Sequence, residues 1–513
     1  MSVHDKQITR RDFIKGVAAG TAGLAAMHMG IPMAAHAAEE TPIQWDVETD
    51  VLIVGSGGAG VSAAAAAGEA GAKALIYEKA GFAGGTTNFS GGVLQAAGTK
   101  AQKEFTKFQD DTPEKHAQLW IKAGEGFVDE DLVRDLAYGA PKNIEWLESM
   151  GLKFTSVYGH CHIPYIEDDL FADRIHVYEG GGGTASGNIM IKAILTYAES
   201  LGAAIEYNTE VVKLFQDKDG VVIGAEAKQK DKTILVKANK GVVLAAASID
   251  RNKEMAKRLS PQQLWDLESQ QNMTAVTDTG DGIRMGIELG ADVAGFGGCI
   301  DFCGKTGAAT TNQNPVFPSF IVNQAAQRFV CEDATYAYHY RAIFQQEKQL
   351  NGPTYMIFGK SSLSAPGSAW NDETIAKDVA DGVVFEADTI EALAEIIKLD
   401  AKALAATLAT WNENAKEGKD PLYARRTGIA PIEGPFYAYK NVSFNLGALG
   451  GLRIDTDARV LKPSGEIIPH LYASGMNAGG WIGPYYPGSG TAIAGIIHWG
   501  RKAGASAAAE TPV

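Results

Sequence analysis

Three glycines spaced Gly55-x-Gly57-x-x-Gly60, with Glu78 about twenty residues beyond them, are the strongest chemical signal in this chain of 513 residues. Gly55 permits a tight turn, Gly57 and Gly58 leave room for backbone to approach a pyrophosphate, and Gly60 lets a helix pack closely on a strand. The amides at the start of that helix face the phosphate charge. A carboxylate at Glu78, with Lys79 beside it, can accept hydrogen bonds from both hydroxyls of a ribose. The segment 84–92 then sets two glycine pairs around hydroxyl side chains: Gly84, Gly85, Thr86, Thr87, Ser90, Gly91 and Gly92. Such backbone can lie against a flat ring and donate to its polar edge. Together these residues predict a dinucleotide site.

The elements that must position them follow from the flanking pattern. Residues 50–54 are a short apolar run of buried parallel-strand type, and the alanine-rich stretch after Gly60 reads as a helix with no large side chain on its sheet-facing side. A second strand ends at Glu78. From 110 to 150 the pattern is helical, and 186–201 forms a further helix. Residues 204–250 read as antiparallel strands with a turn at Asp219-Gly220 and a buried last strand at 241–247. Thr279, Gly280, Asp281 and Gly282 precede another short helix at 283–289. The pattern breaks after Asp292, and residues 291–436 read as an inserted α+β cap with helices at 389–399 and 401–414. Residues 45–290 and 437–508 form the two parts of a discontinuous Rossmann-like α/β domain. The last helix follows the segment Tyr485, Tyr486, Pro487, Gly488, Ser489, Gly490, Thr491, Ala492, Ile493 and presents its positive end to a bound ring.

At the amino terminus Thr9, Arg10, Arg11, Asp12 and Phe13 precede a mildly apolar glycine- and alanine-rich run ending Ala35-His36-Ala37. This predicts a twin-arginine signal over residues 1–37, cut after Ala37, and a mature periplasmic protein. An apolar content of 45% over this length supports a large core. A net charge of -15 speaks against a nucleic-acid partner. Of Cys161, Cys299, Cys303 and Cys331, one pair has CxxxC spacing without a second pair to complete a zinc site, so no metal is assigned. Buried thiols are expected, with a Cys299 to Cys303 disulfide as the alternative. The loop 157–165 gathers Tyr158, His160, Cys161, His162 and Tyr165, and its expected state is a surface loop.

Segment 84–92 resembles the GGxTxxSGG segment that follows the FAD fingerprint in the fumarate reductase and 3-ketosteroid dehydrogenase flavoprotein superfamily. The resemblance covers nearly the whole mature chain and implies non-covalent FAD. Its binding residues would be the glycines and acid of the fingerprint, the residues of 84–92 named above, Asp281, Gly475, Ser489, Thr491, Ala492 and Ile493. Where that superfamily usually ends its returning strand A-T/S-G-G, this chain has Ala245, Ala246, Ala247 and Ser248. Fumarate reductases carry a histidine before the GG matching Gly450-Gly451, an arginine in the cap and another before the last helix. These positions fall at Leu446 or Gly447, near Pro315 and near Pro487, so a dicarboxylate would find no guanidinium fork.

Residues 446–455 and Tyr486, Pro487, Gly488, Ser489, Gly490 are similar instead to segments of 3-ketosteroid dehydrogenases. The resemblance implies that the Tyr486 hydroxyl and the Gly490 amide hold a ketone oxygen. It also implies that Tyr336, following Arg328, Phe329, Val330, Cys331 and Glu332 in a segment like R-F-V-N-E, moves the proton. The expected function is an exported FAD-dependent oxidoreductase of the CH–CH bond next to a carbonyl, acting on a small apolar carbonyl compound. The alternatives are a periplasmic respiratory reductase of a conjugated C=C bond fed by a separate cytochrome or quinone, and a non-catalytic flavin electron carrier.

Overall fold

The computed structural model of the chain describes residues 43–159, 162–303 and 317–513. The signal segment, His160, Cys161 and Pro315 lie outside them. Five strands, Ala204–Glu206, Ala74–Tyr77, Val47–Val54, Lys232–Leu244 and Ile467–Ala473, lie side by side in that order and all run parallel. Val51, Leu52 and Ile53 are fully buried, as a strand covered on both faces requires. Helix Gly58–Glu69 covers the sheet and receives the last helix, Thr491–Ala509, along an interface of small residues. A Cβ at Gly504 would stand 2.1 Å from the Ala63 carbonyl oxygen, and one at Gly500 2.5 Å from that of Ala59. Alanine and glycine are therefore packing residues here.

The expectation of antiparallel strands over 204–250 holds only in part. Glu210–Gln216, Val222–Gln229 and the first half of Lys232–Leu244 form an antiparallel meander. Ala204–Glu206 instead pairs in parallel with Leu75, Ile76 and Tyr77, and the second half of Lys232–Leu244 pairs in parallel with Val47–Val54. Alternating residues look alike in either arrangement; the partner strand decides.

The cap is a four-stranded antiparallel sheet, ordered Ser319–Val322, Tyr355–Gly359, Phe436–Lys440, Val384–Ala387. Helices Ile390–Ile397 and Ala401–Lys416 build a separate core against it around Trp411, Leu404 and Phe320. A buried ion cluster braces it, with Arg328 held between Glu332 at 2.6 Å and Asp420 at 2.7 Å. A small sheet, ordered Gln271–Asn272, Ser443–Ala448, Cys299–Cys303, joins the chain entering the cap to the chain leaving it. Cys299 is a free buried thiol, not half of a disulfide, and donates to the Gln263 side-chain oxygen at 3.3 Å. No helix among the described residues is long and apolar enough to cross a membrane.

Candidate active site

The glycine turn joins the first strand to its helix with Gly55 at φ +98°, a conformation that disfavours any side chain. Gly60 does not line the cavity. A Cβ there would fall 1.9 Å from the Gly55 carbonyl oxygen, so this glycine sets the approach of helix to strand. At Gly57 a Cβ would meet nothing nearer than 4.0 Å, leaving bare backbone beside open space of the kind a pyrophosphate fills. Glu78 is fixed from below: its Oε2 accepts from the Ser56 amide at 2.8 Å and hydroxyl at 2.6 Å, and its Oε1 from the Ala80 amide at 2.7 Å. Lys79 bridges Glu210 and Asp281, each at 3.0 Å.

A cavity of about 510 Å³ runs from Glu78 and Lys79 past Gly55, Gly57 and Gly58, along Gly85, Thr86, Thr87, Ser90, Gly91 and Gly92, to Ser489 and Gly490. Asp281, Gly475, Ala492 and Ile493 also line it. Thr491 does not; its hydroxyl turns back to the Gly488 carbonyl at 2.9 Å and holds the start of the last helix. The residues present suit FAD: a carboxylate at one end, bare glycine backbone in the middle and a helix N-terminus at the other.

At the far end Tyr336, Tyr486 and Gly490 come together although more than a hundred residues separate the first from the others. Tyr336 opens helix Tyr336–Leu350, is fully buried, and stacks on Phe302 with centroids 4.1 Å apart. Its hydroxyl lies 3.2 Å from Ser489 Oγ. The ring of Tyr486 is 6.0 Å away, and its hydroxyl oxygen accepts from the Ala492 amide at 2.8 Å. That amide turns a lone pair of the phenol oxygen toward the helix. Gly490, at φ +89°, lies so close to Leu94 and Gln95 that a Cβ would stand 2.9 Å from their backbone. Gln95 holds the loop in turn, donating from its side chain to the Ser489 carbonyl at 2.9 Å and from its amide to that of Gly490 at 3.2 Å.

Around these groups the walls are apolar: Tyr158, Ile300, Phe302, Phe444, Leu446 and Met476. Leu446 and Gly447, the positions that the resemblance matches to the fumarate reductase histidine, both line the cavity. Among the described lining residues Lys79 is the one cation, and it is neutralised at the ribose end.

Sequence reasoning missed two acids in this cavity, Asp250 and Asp278. Asp278 accepts from the Thr86 hydroxyl at 2.5 Å; burial pushes its carboxyl up to about 7 against the pull of that hydrogen bond. Burial, and then the charge of Asp278, hold Asp250 well above the usual carboxylate range while it accepts from the Ala448 amide at 2.9 Å. The spacing Asp278-x-x-Asp281 was visible in the sequence, but nothing marked the first acid as the buried one. Asn477 was missed as well. Its side chain accepts from the Ala246 amide at 3.1 Å and donates to the Ala247 carbonyl at 2.8 Å, clamping the end of the returning strand with Ala247 at φ 59°.

The chain is 30% identical over 99% of its length, and 98% of the relative's, to digoxin reductase of Eggerthella lenta. It is 31% identical to the fumarate reductase (cytochrome) of Shewanella frigidimarina over 90% of this chain and 77% of that one. The crystal structure of a 3-ketosteroid-Δ4-(5α)-dehydrogenase from Rhodococcus jostii, in complex with 4-androstene-3,17-dione, superposes with a TM-score of 0.77. It is 30% identical and covers 92% of this chain and 99% of its own. The sequence profile described as FAD binding domain matches residues 50–493. The chain therefore belongs to the FAD binding domain family and is an FAD-dependent oxidoreductase acting on CH–CH and C=C bonds.

Proposed function

We propose that the substrate is an apolar carbonyl compound of about steroid size, and that the bond exchanged between single and double is the one next to its carbonyl. The observation that carries this is the pairing of two phenols and one loop amide, Tyr336, Tyr486 and Gly490, within apolar walls that, among the described residues, offer no cation for a carboxylate. Tyr486 Oη and the Gly490 amide are assigned to the carbonyl oxygen, where their hydrogen bonds strengthen as enolate charge develops. Tyr336 exchanges the proton at the α carbon, with Ser489 Oγ at 3.2 Å orienting its hydroxyl. The chemistry that bound FAD would supply is hydride exchange with the β carbon. Phe302, stacked on Tyr336, and Phe444 keep water from that carbon.

In the reducing direction Tyr336 delivers its proton to the same carbon. This direction is supported by the curated relatives, which include reductases named for digoxin, urocanate and fumarate. We assign the protein to the periplasm on Arg10 and Arg11, with a separate carrier, a cytochrome or quinone, supplying or removing electrons. The test is a two-way panel: saturated and 4-ene 3-ketosteroids with a dye acceptor, then enones, aryl acrylates and fumarate with reduced viologen. Turnover of 3-ketosteroids or enones with none of fumarate is expected. Turnover of fumarate alone would overturn the proposal.

A further inference from the structure

The loop that carries His162 and the segment that enters the Tyr336 helix meet beside the active site, and their side chains form a second constellation. His162, Cys331 and Asp333 are all buried, and one ligand atom from each lies within 4.8 Å of the other two. Asp333 Oδ1 is 3.0 Å from Cys331 Sγ and 3.9 Å from His162 Nε2. Donors around a tetrahedral zinc stand about 3 to 4 Å apart, and nitrogen, sulfur and carboxylate oxygen are the ligand types that ion takes.

Two further observations separate this group from an ordinary hydrogen-bonded cluster. Neither ring nitrogen of His162 makes a hydrogen bond of ordinary geometry, although the ring is buried and the Ala424 carbonyl stands close to it. A buried imidazole nitrogen without a well-formed hydrogen bond costs its desolvation, which a metal at Nε2 would relieve. The outer oxygen of Asp333 is meanwhile fixed by the Arg426 amide at 2.7 Å, the Thr427 amide at 2.9 Å and the Thr427 hydroxyl at 3.1 Å. Such bonds aim a ligating carboxylate while its other oxygen points at the ion. The nearby Arg426 guanidinium is paired with Asp168 at 2.6 Å. A second buried imidazole, His339, also lacks a hydrogen-bond partner and lies within electrostatic reach of Asp333.

We propose that His162 Nε2, Cys331 Sγ and Asp333 Oδ1 form a zinc site. Cys331 loses its proton on binding, the fourth position is taken by water, and no bond to substrate is involved. The ion ties the loop after strand Phe154–Tyr158 to the turn before Tyr336, where the Thr335 amide already donates to the His162 carbonyl at 3.1 Å. Its role is to hold the first residue of that helix in register with Tyr486. The ligands come from segments about 170 residues apart, which is why no spacing motif announced them.

The test is metal content of the untagged, reduced holoprotein after zinc loading and gel filtration, together with the absorption spectrum after cobalt replacement. One zinc per chain is expected, with a cysteine-to-cobalt charge-transfer band. Cys331→Ala and His162→Gln should each lose the metal while keeping their FAD. Absence of bound zinc and of the cobalt band in the unmodified chain would overturn the site, as would full metal content in both variants. The cobalt spectrum is read on the unmodified chain, so a variant that fails to fold does not remove the test.

Discussion

Tyr336 and Tyr486 stand 6.0 Å apart with different surroundings, and they should fail differently. Tyr486→Phe removes one donor from the carbonyl oxygen and leaves the Gly490 amide; turnover should fall about 100- to 1000-fold with FAD still bound. Tyr336→Phe removes the proton-transfer group. It should cost about 100- to 10,000-fold and flatten the limb of the pH–rate profile that this group controls. Near-normal rates with an unchanged profile would make Tyr336 a packing residue beneath Phe302. Asp278 offers a stability test at the same scale. Burial raises its carboxyl from 3.8 to about 7, so the folded state holds a proton the unfolded chain has released. The stability this brings is fully present below pH 3.8 and is lost as pH rises through about 7. Asp278→Asn keeps an acceptor for Thr86, so it should gain on the wild type across that window, by a few kcal/mol at pH 8. Equal unfolding midpoints for the two proteins at pH 5 and pH 8 would refute it.

At the scale of elements, the returning strand shows what a sequence can and cannot disclose. Ala245, Ala246, Ala247 and Ser248 depart from the usual ending, and the chain keeps the turn nonetheless by placing Ala247 at φ 59° and clamping it with Asn477. A left-handed alanine costs about 1 to 2 kcal/mol. Ala247→Gly should therefore raise stability by about 0.5 to 1 kcal/mol, after the added freedom of the unfolded chain is subtracted. A lower unfolding midpoint for that variant would mean the Ala247 side chain is itself needed. The glycine turn, Glu78 and the last-helix segment were legible because each meets a local backbone or charge requirement written within a few residues. The cap was legible as a break in pattern. The parallel pairing of Ala204–Glu206 was not, since three alternating residues carry no sign of their partner. Asp250, Asp278 and Asn477 were not legible either, because their burial is decided by segments hundreds of residues away.

For the whole molecule, the expected export and the proposed chemistry are linked, since a protein that travels folded can leave the cytoplasm with its flavin in place. Replacing Arg10 and Arg11 by Lys should hold the FAD-loaded protein in the cytoplasm, as read by fractionation; unchanged export would remove the twin-arginine assignment. The apolar end of the cavity, where no described residue brings a guanidinium group, bears on the substrate most directly. Rapid anaerobic mixing of the photoreduced holoprotein with a 4-ene 3-ketosteroid, and separately with fumarate, reads that end through the flavin absorbance alone. The yellow oxidised flavin should return with the enone, with formation of the saturated ketone, and should stay bleached with fumarate. Return of the oxidised flavin with fumarate but not with the enone would contradict the assignment of Tyr486 and Gly490 to a ketone oxygen.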